Sequence, residues 1–197
     1  MGTPRRTLDR ACLEKTLALV LDQVMPACAE IDYRLVGTAA ALLQGVELPA
    51  ADVDILVRER AAVDAFSGAL APFACLVAPA WLPDTCQYYA SYLVNGVEVE
   101  FSTVEVETAA DTVETFGRGP WEHFVRIPCG RYEVPAVALE LRLLTELYRE
   151  RPDRSGPILR HLQAHGCDLA LVERGLGAIG LPQAAREEVL RNLAGRR

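Results

Sequence analysis

The chain has 197 residues, of which 51% are hydrophobic and 24% are charged, and this composition is typical of an ordered globular protein. The formal net charge is -7 and the arginines are scattered singly or in pairs, which argues against binding to a long nucleic acid. No apolar run approaches the roughly 20 residues of a membrane-spanning helix, and no N-terminal secretion signal is visible. The six cysteines lie far apart without zinc-ligand spacing, so we expect a cytoplasmic protein with reduced thiols.

The first part of the chain predicts helices alternating with strands. Apolar residues at three- and four-residue spacing predict an amphipathic helix from Thr7 to about Ile31, which Pro26 could bend or end. The run YRLVG followed by TAAALLQG predicts a strand, a turn and a short helix. The segment DVDILV predicts a strand with a buried far end, and residues from Ala61 to Leu70 predict a further helix.

The rest of the chain predicts two hairpins and then helices. The pair Asn95-Gly96 between QYYASYLV and VEVEFSTV is a strong hairpin signal, and a weaker one surrounds Cys129-Gly130. Beyond Pro135, four helical segments are separated by prolines and glycines. We therefore predict an α/β (α+β) fold with a mixed sheet flanked by helices in residues 1–135, followed by a small helical bundle in residues 136–197.

Two aspartates in the run AADVDILV are the first candidates for chemistry. Successive side chains of a strand point to opposite faces, so Asp52 and Asp54 share one face. Mg²⁺ prefers carboxylate oxygens and would relieve the repulsion between the two charges. By itself, however, an Asp-x-Asp pair more often marks a solvated strand edge than a metal site.

Two further features accompany the aspartates. Gly37 and Thr38 lie where a strand turns into a helix, an arrangement whose backbone N–H groups can bind phosphate. In the strand VEVEF, Glu98 and Glu100 share one face, and either could supply a third carboxylate.

In their order and spacing, LVGT, DVDIL and VEVEF resemble the motifs of the nucleotidyltransferase superfamily, whose fold is DNA polymerase beta-like, over Tyr33 to about Ser102. The branch it resembles is that of the small-molecule, aminoglycoside and lincosamide type, which includes antibiotic-resistance enzymes. Thr38 departs from the more common serine or glycine but retains a hydroxyl.

The resemblance implies roles for individual residues. Gly37 and Thr38 would bind the nucleotide phosphates, and Asp52, Asp54 and Glu100 would be catalytic and would hold Mg²⁺, with two ions expected. Glu100 is preferred to Glu98 because an apolar residue follows it. Arg58, and with it Arg60, is a candidate cation for the triphosphate, although both could be ordinary surface arginines.

The function implied is transfer of a nucleoside monophosphate from an NTP to a hydroxyl group of a small molecule, with release of pyrophosphate. The expected NTP is ATP, so that AMP is the group transferred. Two alternatives stay open. One is a toxin-antitoxin type of nucleotidyltransferase that modifies protein or tRNA. Minimal antitoxins of that type typically carry arginines in the helix before Asp-x-Asp, and the segment TAAALLQGVELPAA contains none, so this alternative is disfavoured. The other is a nucleotide-binding protein of the same fold without catalysis.

Overall fold

The structure is a computed structural model that describes residues 7–28, 31–106, 114–115 and 117–195, excepting the side chains of residues 27 and 28. Its strands, in chain order, are β1 (Tyr33–Val36), β2 (Asp52–Val57), β3 (Ala74–Leu82), β4 (Gln87–Val94), β5 (Val97–Ser102), β6 (Phe124–Cys129) and β7 (Tyr132–Val137). Its helices are α1 (Arg10–Cys28), α2 (Gly37–Leu43), α3 (Arg60–Ala69), α4 (Gly119–Glu122), α5 (Leu139–Tyr148), α6 (Pro152–His165), α7 (Leu169–Ala178) and α8 (Gln183–Ala194).

The strands form one mixed sheet in the order β3-β4-β5-β2-β1-β7-β6. The two strands at its centre, β2 and β1, are antiparallel to each other, whereas β5 pairs with β2 and β7 pairs with β1 in parallel. Hairpins of antiparallel strands complete both sides of the sheet. The predicted mixed sheet with flanking helices is therefore confirmed.

Part of the core lies on the face of the sheet opposite the acidic side chains, although Leu56, on the same face of β2 as Asp52 and Asp54, is buried too. Val53 and Ile55 of β2 and Phe101 of β5 are buried, and the ring of Phe101 packs 4.8 Å, between ring centroids, from that of Phe66 in α3. Helix α3 contacts α1 as well as strands β2 to β5. The alternation of carboxylate and apolar residues thus directs one set of side chains to this core and leaves the other on the open face.

Most predicted elements are present with shifted ends. The first helix starts and ends a few residues inside the predicted range, and it includes Pro26 instead of ending at it. Asn95 and Gly96 both adopt positive φ, as a two-residue hairpin turn requires, and a second hairpin turns at Gly130. Four helices follow β7, while the proposed division of the chain at residue 135 stays a prediction.

The edge strand β3 and the short helix α4 are elements that the sequence did not predict. The sequence of β3, ACLVAPAWL, contains three alanines and Pro79, which are uncommon in strands, and its apolar residues do not alternate with polar ones. Its pairing with β4 has two register shifts, around Val77. At the edge of a sheet such a sequence is tolerated because only one side of the strand must be paired.

Two further predictions concern membrane-spanning helices and the state of the cysteines. None of the helices that the structure describes has the length and apolar character needed to cross a bilayer. The cysteines whose side chains are described have free thiols; they are Cys12, Cys75, Cys86, Cys129 and Cys167.

Candidate active site

The parallel pairing of β2 with β5 brings the predicted carboxylates together. Asp52 lies opposite Glu98 and Asp54 lies opposite Glu100 in the register of these strands. Residues opposite each other in neighbouring strands point to the same face, so all four carboxylates share the open face of the sheet. All four side chains are half-buried.

A cavity of about 490 Å³ lies on this face. Glu100 lines it and Glu98 does not, which favours Glu100 as the third carboxylate. Tyr89, from the neighbouring strand β4, also lines the cavity, and its hydroxyl interacts with the side chain of Glu100. The residues that line the cavity are Val36, Gly37, Thr38, Pro49, Ala51, Asp52, Asp54, Gln87, Tyr89, Glu100, Ser102, Glu114, Thr115, Arg142, Arg149 and Arg154.

The glycine turn lies directly against the aspartate pair. Gly37 begins α2 with a φ of +72°, which favours glycine. A side chain at this position would collide with the carboxylate of Asp54. Thr38 follows in the cavity wall with 6% of its surface exposed. Two of the predicted phosphate-binding residues thus touch the same cavity as the predicted metal ligands.

The carboxyl group of Asp54 is strongly perturbed by its surroundings in this cavity. Burial raises the pKa of Asp54 to about 8, with further contributions from the like charges of Asp52, Glu100 and Glu114 and an opposing one from Arg142. A carboxyl group in such surroundings takes up a proton unless a cation approaches it.

Glu114 is an additional carboxylate that sequence reasoning missed. It precedes α4, has only 1% of its surface exposed and lines the cavity. Its Oε1 accepts a hydrogen bond of 2.8 Å from the backbone N–H of Gly37 and another of 2.8 Å from Nη1 of Arg142. The amide that was expected to bind phosphate therefore already donates to a carboxylate.

Arg142 connects this carboxylate to the C-terminal helices. It lies on α5 with 2% of its surface exposed and forms ion pairs with Glu114 and Glu146. Glu146 in turn lies 3.5 Å from Nη1 of Arg154 on α6. Burial disfavours the charge of Arg142, but Glu114 and Glu146 outweigh that effect and raise its pKa. The four side chains form an ionic network at the wall of the cavity, in which Arg154 is partly exposed and the other three are buried.

The cations predicted from the sequence lie elsewhere. Nε of Arg58 donates to Asp32 over 3.0 Å, and its guanidinium stacks 4.0 Å from the ring centroid of Trp121. Arg60 forms a two-pronged ion pair with Glu105. Neither arginine is among the described residues that line the cavity. The structure instead brings Arg142, Arg149 and Arg154 to it.

A weak signal could have identified two of these arginines. Arg142 and Arg149 are seven residues apart, which is two helical turns, so they project from the same face of a helix. Arg142 also interrupts the apolar run of LELRLLTELY, where a charge on a buried face requires a partner. Glu114 has no comparable signal because the sequence around it has no periodicity.

The donors at the cavity suit a hard cation, although they are not arranged as a closed metal site. Throughout the described residues, no group of three or more His, Cys, Asp or Glu side chains is positioned to hold an ion as it stands. Mg²⁺, however, commonly binds only one or two carboxylates, retains waters and takes its remaining ligands from substrate phosphates. The carboxylates of Asp54 and Glu100, which lie opposite each other on β2 and β5, fit that kind of site.

Comparisons with known proteins give the fold. No family model matches the sequence, and no curated protein matches it. A proposed nucleotidyltransferase from Thermotoga maritima superposes with a TM-score of 0.55 and 17% identity, covering 82% of this chain and 99% of that one. An antigenic nucleotidyltransferase-like protein from Paracoccidioides brasiliensis gives a TM-score of 0.53 and 13% identity, covering 95% of each chain. This chain has a nucleotidyltransferase-like fold.

The two structures align with 82% and 95% of this chain. The expected fold is thereby confirmed. At these identities the likeness is one of fold and does not by itself assign a chemistry to this chain.

Proposed function

We propose that the protein is an Mg²⁺-dependent nucleotidyltransferase that transfers a nucleoside monophosphate from an NTP to a hydroxyl group of a small molecule. The observation that carries this proposal is the pairing of Asp54 with Glu100 in one cavity that arginines also line. Carboxylates suit a divalent cation and arginines suit phosphate oxygens, so the cavity is complementary to a metal-bound triphosphate.

The carboxylates, the arginines and the glycine turn that line the cavity would have different roles. Asp52, Asp54 and Glu100 would hold Mg²⁺, with two ions expected, and bound Mg²⁺ would neutralise charge on the phosphates and polarise the reacting phosphorus. Arg149 and Arg154 would contact the triphosphate, while Arg142 would reach it from the buried network. Gly37 and Thr38 would lie beside the phosphates.

The reaction requires little covalent chemistry from the protein. The acceptor oxygen attacks the α-phosphorus, the bond to the bridging oxygen breaks, and pyrophosphate leaves with that electron pair. The hydroxyl proton would pass to a carboxylate, and Glu100 is the candidate because it lines the cavity and lies opposite Asp54 on the neighbouring strand. The work of the residues is mainly to position and to neutralise charge.

The proposed substrates rest on the sequence resemblance and on charge. ATP is the preferred NTP, and the acceptor is proposed to be a small molecule, since the net charge of -7 disfavours a long nucleic acid. An acidic cavity wall would favour an acceptor that carries amines, such as an aminoglycoside. Antibiotic modification is the physiological role that this class of acceptor would imply.

The test separates binding from catalysis. Isothermal titration with each NTP and Mg²⁺ measures binding, and pyrophosphate release with a panel of aminoglycoside and lincosamide acceptors measures transfer. Asp52→Asn, Asp54→Asn and Glu100→Gln are expected to reduce turnover at least about 100-fold. Asp64→Asn, at an exposed position on α3, serves as the matched control.

Two outcomes would contradict the proposal, one concerning the site and the other concerning catalysis. Retention of full Mg-NTP affinity and turnover in the aspartate variants would refute the proposed site. Tight Mg-NTP binding without pyrophosphate release for any acceptor would favour a non-catalytic nucleotide-binding protein of this fold.

A further inference from the structure

Glu114 occupies a position with the character of an anion site. Its Oε1 accepts from the backbone N–H of Gly37 and from the guanidinium of Arg142, each over 2.8 Å. A backbone amide and an arginine are the two kinds of donor that proteins use to bind phosphate oxygens. The side chain nevertheless belongs to the protein itself.

The fit of this carboxylate is incomplete. Its second oxygen, Oε2, is buried and has no hydrogen-bond partner among the described residues, and the same is true of Nε of Arg142. A buried polar atom without a partner costs roughly 1 to 3 kcal/mol. A phosphate group has more acceptor oxygens than a carboxylate and could satisfy donors that Glu114 leaves unpaired.

Glu146, the other carboxylate of the network, offers a contrast. It projects from the interior of α5, contacts both Arg142 and Arg154, and does not line the cavity. Glu114 lies in a turn outside any helix or strand and does line the cavity. Among the described residues, Glu114 therefore belongs to no helix or strand, whereas Glu146 is held by its helix.

We propose that Glu114 is a built-in competitor that occupies a phosphate subsite, and that a triphosphate must displace it in order to bind. This inference rests on the proposed function, because it assumes that phosphates enter this cavity. A single N–H cannot make a full hydrogen bond to two acceptors, and two anions at one guanidinium repel each other. The closed contact therefore lowers the apparent affinity for the triphosphate by the fraction of molecules in which the subsite is open.

Two substitutions of Glu114 distinguish occupancy of the phosphate subsite by its side chain from the effect of its negative charge. Glu114→Gln removes the negative charge, whereas Glu114→Asp keeps it but shortens the side chain by one methylene, so that it no longer reaches both donors. Glu105→Gln is the matched control, since Glu105 pairs with Arg60 outside the cavity. Binding is measured by isothermal titration with inorganic tripolyphosphate in EDTA and with Mg-ATP.

We expect both Glu114 variants to bind tripolyphosphate and Mg-ATP about 3- to 10-fold more tightly than the wild type, and the control to bind as the wild type does. Tightening in Glu114→Gln alone would show an effect of charge and would overturn the inference. Unchanged or weaker binding in both variants would overturn it too, because a residue that merely positions Gly37 and Arg142 should aid binding.

A second measurement uses the wild-type protein and does not depend on a variant folding. Carbodiimide coupling of carboxylates to an amine, mapped by mass spectrometry, reports whether Glu114 is accessible. We expect Glu114 to be protected from labelling in the free protein and to be labelled when the protein is saturated with tripolyphosphate. Protection in both states would refute displacement.

The two proposals fail in different ways. If the wild type binds Mg-ATP but neither displacement nor tightening is found, only the role of Glu114 is wrong. If the wild type and both Glu114 variants bind neither probe, the proposed function fails and the inference fails with it.

Discussion

The Cα of Gly37 packs against the carboxylate of Asp54, which leaves no space for a side chain at position 37. We expect Gly37→Ala to abolish Mg-ATP binding and to lower the free energy of unfolding by roughly 2 kcal/mol or more, from strain at positive φ and from the collision. Urea unfolding and isothermal titration measure the two effects. Gly96→Ala is the matched control, because Gly96 has a similar φ of +75° but no atom within 4 Å of a built side chain.

That control should lose stability only. A positive φ costs a non-glycine residue roughly 1 kcal/mol, so Gly96→Ala should be less stable than the wild type yet bind Mg-ATP normally. Equal losses of affinity in the two variants would contradict the proposed contact between the turn and the site.

The raised pKa of Asp54 predicts an unusual dependence of stability on pH. Its pKa is about 8 in the folded protein and 3.8 ordinarily, so the folded state holds the proton more tightly, and stability falls as pH rises between these values. In EDTA, Asp54→Asn should gain stability relative to the wild type as pH rises from 5 to 8, by up to about 1.4 kcal/mol per pH unit. Thermal melts of both proteins across this range measure the difference.

A control of opposite sign is available on α1. The hydroxyl of Tyr132 and the guanidinium of Arg131 lower the pKa of Asp22, despite some opposition from desolvation. Asp22→Asn should therefore lose stability at neutral pH, and this loss should disappear as pH falls through the pKa of Asp22. A pH-independent difference for Asp54→Asn would show that its carboxyl group is not perturbed in solution.

The buried ionic network should make Arg142 important for stability. Arg142→Met would leave Glu114 and Glu146 buried without their shared partner, and we expect a loss of about 3 to 5 kcal/mol in urea unfolding. Arg10→Met provides the comparison, because Arg10 pairs with Glu14 on an exposed helix face and such pairs contribute less than about 1 kcal/mol. Similar losses in the two variants would mean that Arg142 is hydrated.

The arginines that line the cavity should affect nucleotide binding, in contrast to the arginine predicted from the sequence. We expect Arg149→Ala and Arg154→Ala to weaken Mg-ATP binding about 10-fold each, which is the loss of roughly one charge-assisted hydrogen bond. Arg58→Ala should leave the affinity within about 2-fold of the wild type, because Arg58 pairs with Asp32 away from the cavity. A larger effect of Arg58 would restore it as a phosphate ligand.

The two glutamates of β5 should differ in their effect on turnover. Glu100 lies opposite Asp54 and lines the cavity, so Glu100→Gln should reduce pyrophosphate release at least about 100-fold. Glu98→Gln should reduce it less than about 5-fold, since Glu98 lies two residues before Glu100 in β5 and does not line the cavity. The reverse order of effects would assign the third carboxylate to Glu98.

Local patterns in the sequence were sufficient for the carboxylate face of the sheet. The alternation in DVDILV and VEVEF fixes which side chains share a face, and Asn95-Gly96 defines a hairpin turn that sets the register of β4 with β5. These are properties of neighbouring residues along the chain, so they could be read without knowledge of the fold. The position of Gly37 before a short helix was predictable for the same reason.

The partners of these residues were decided by the tertiary structure alone. Glu114 reaches Gly37 across 77 positions of sequence, and it meets Arg142 on a helix 28 positions further on. No periodicity connects segments so far apart, and a charged residue finds a partner wherever the packed chain places one. For that reason the sequence indicated the carboxylates of the candidate site, whereas the arginines around it and the carboxylate bound to the Gly37 amide emerged only with the fold.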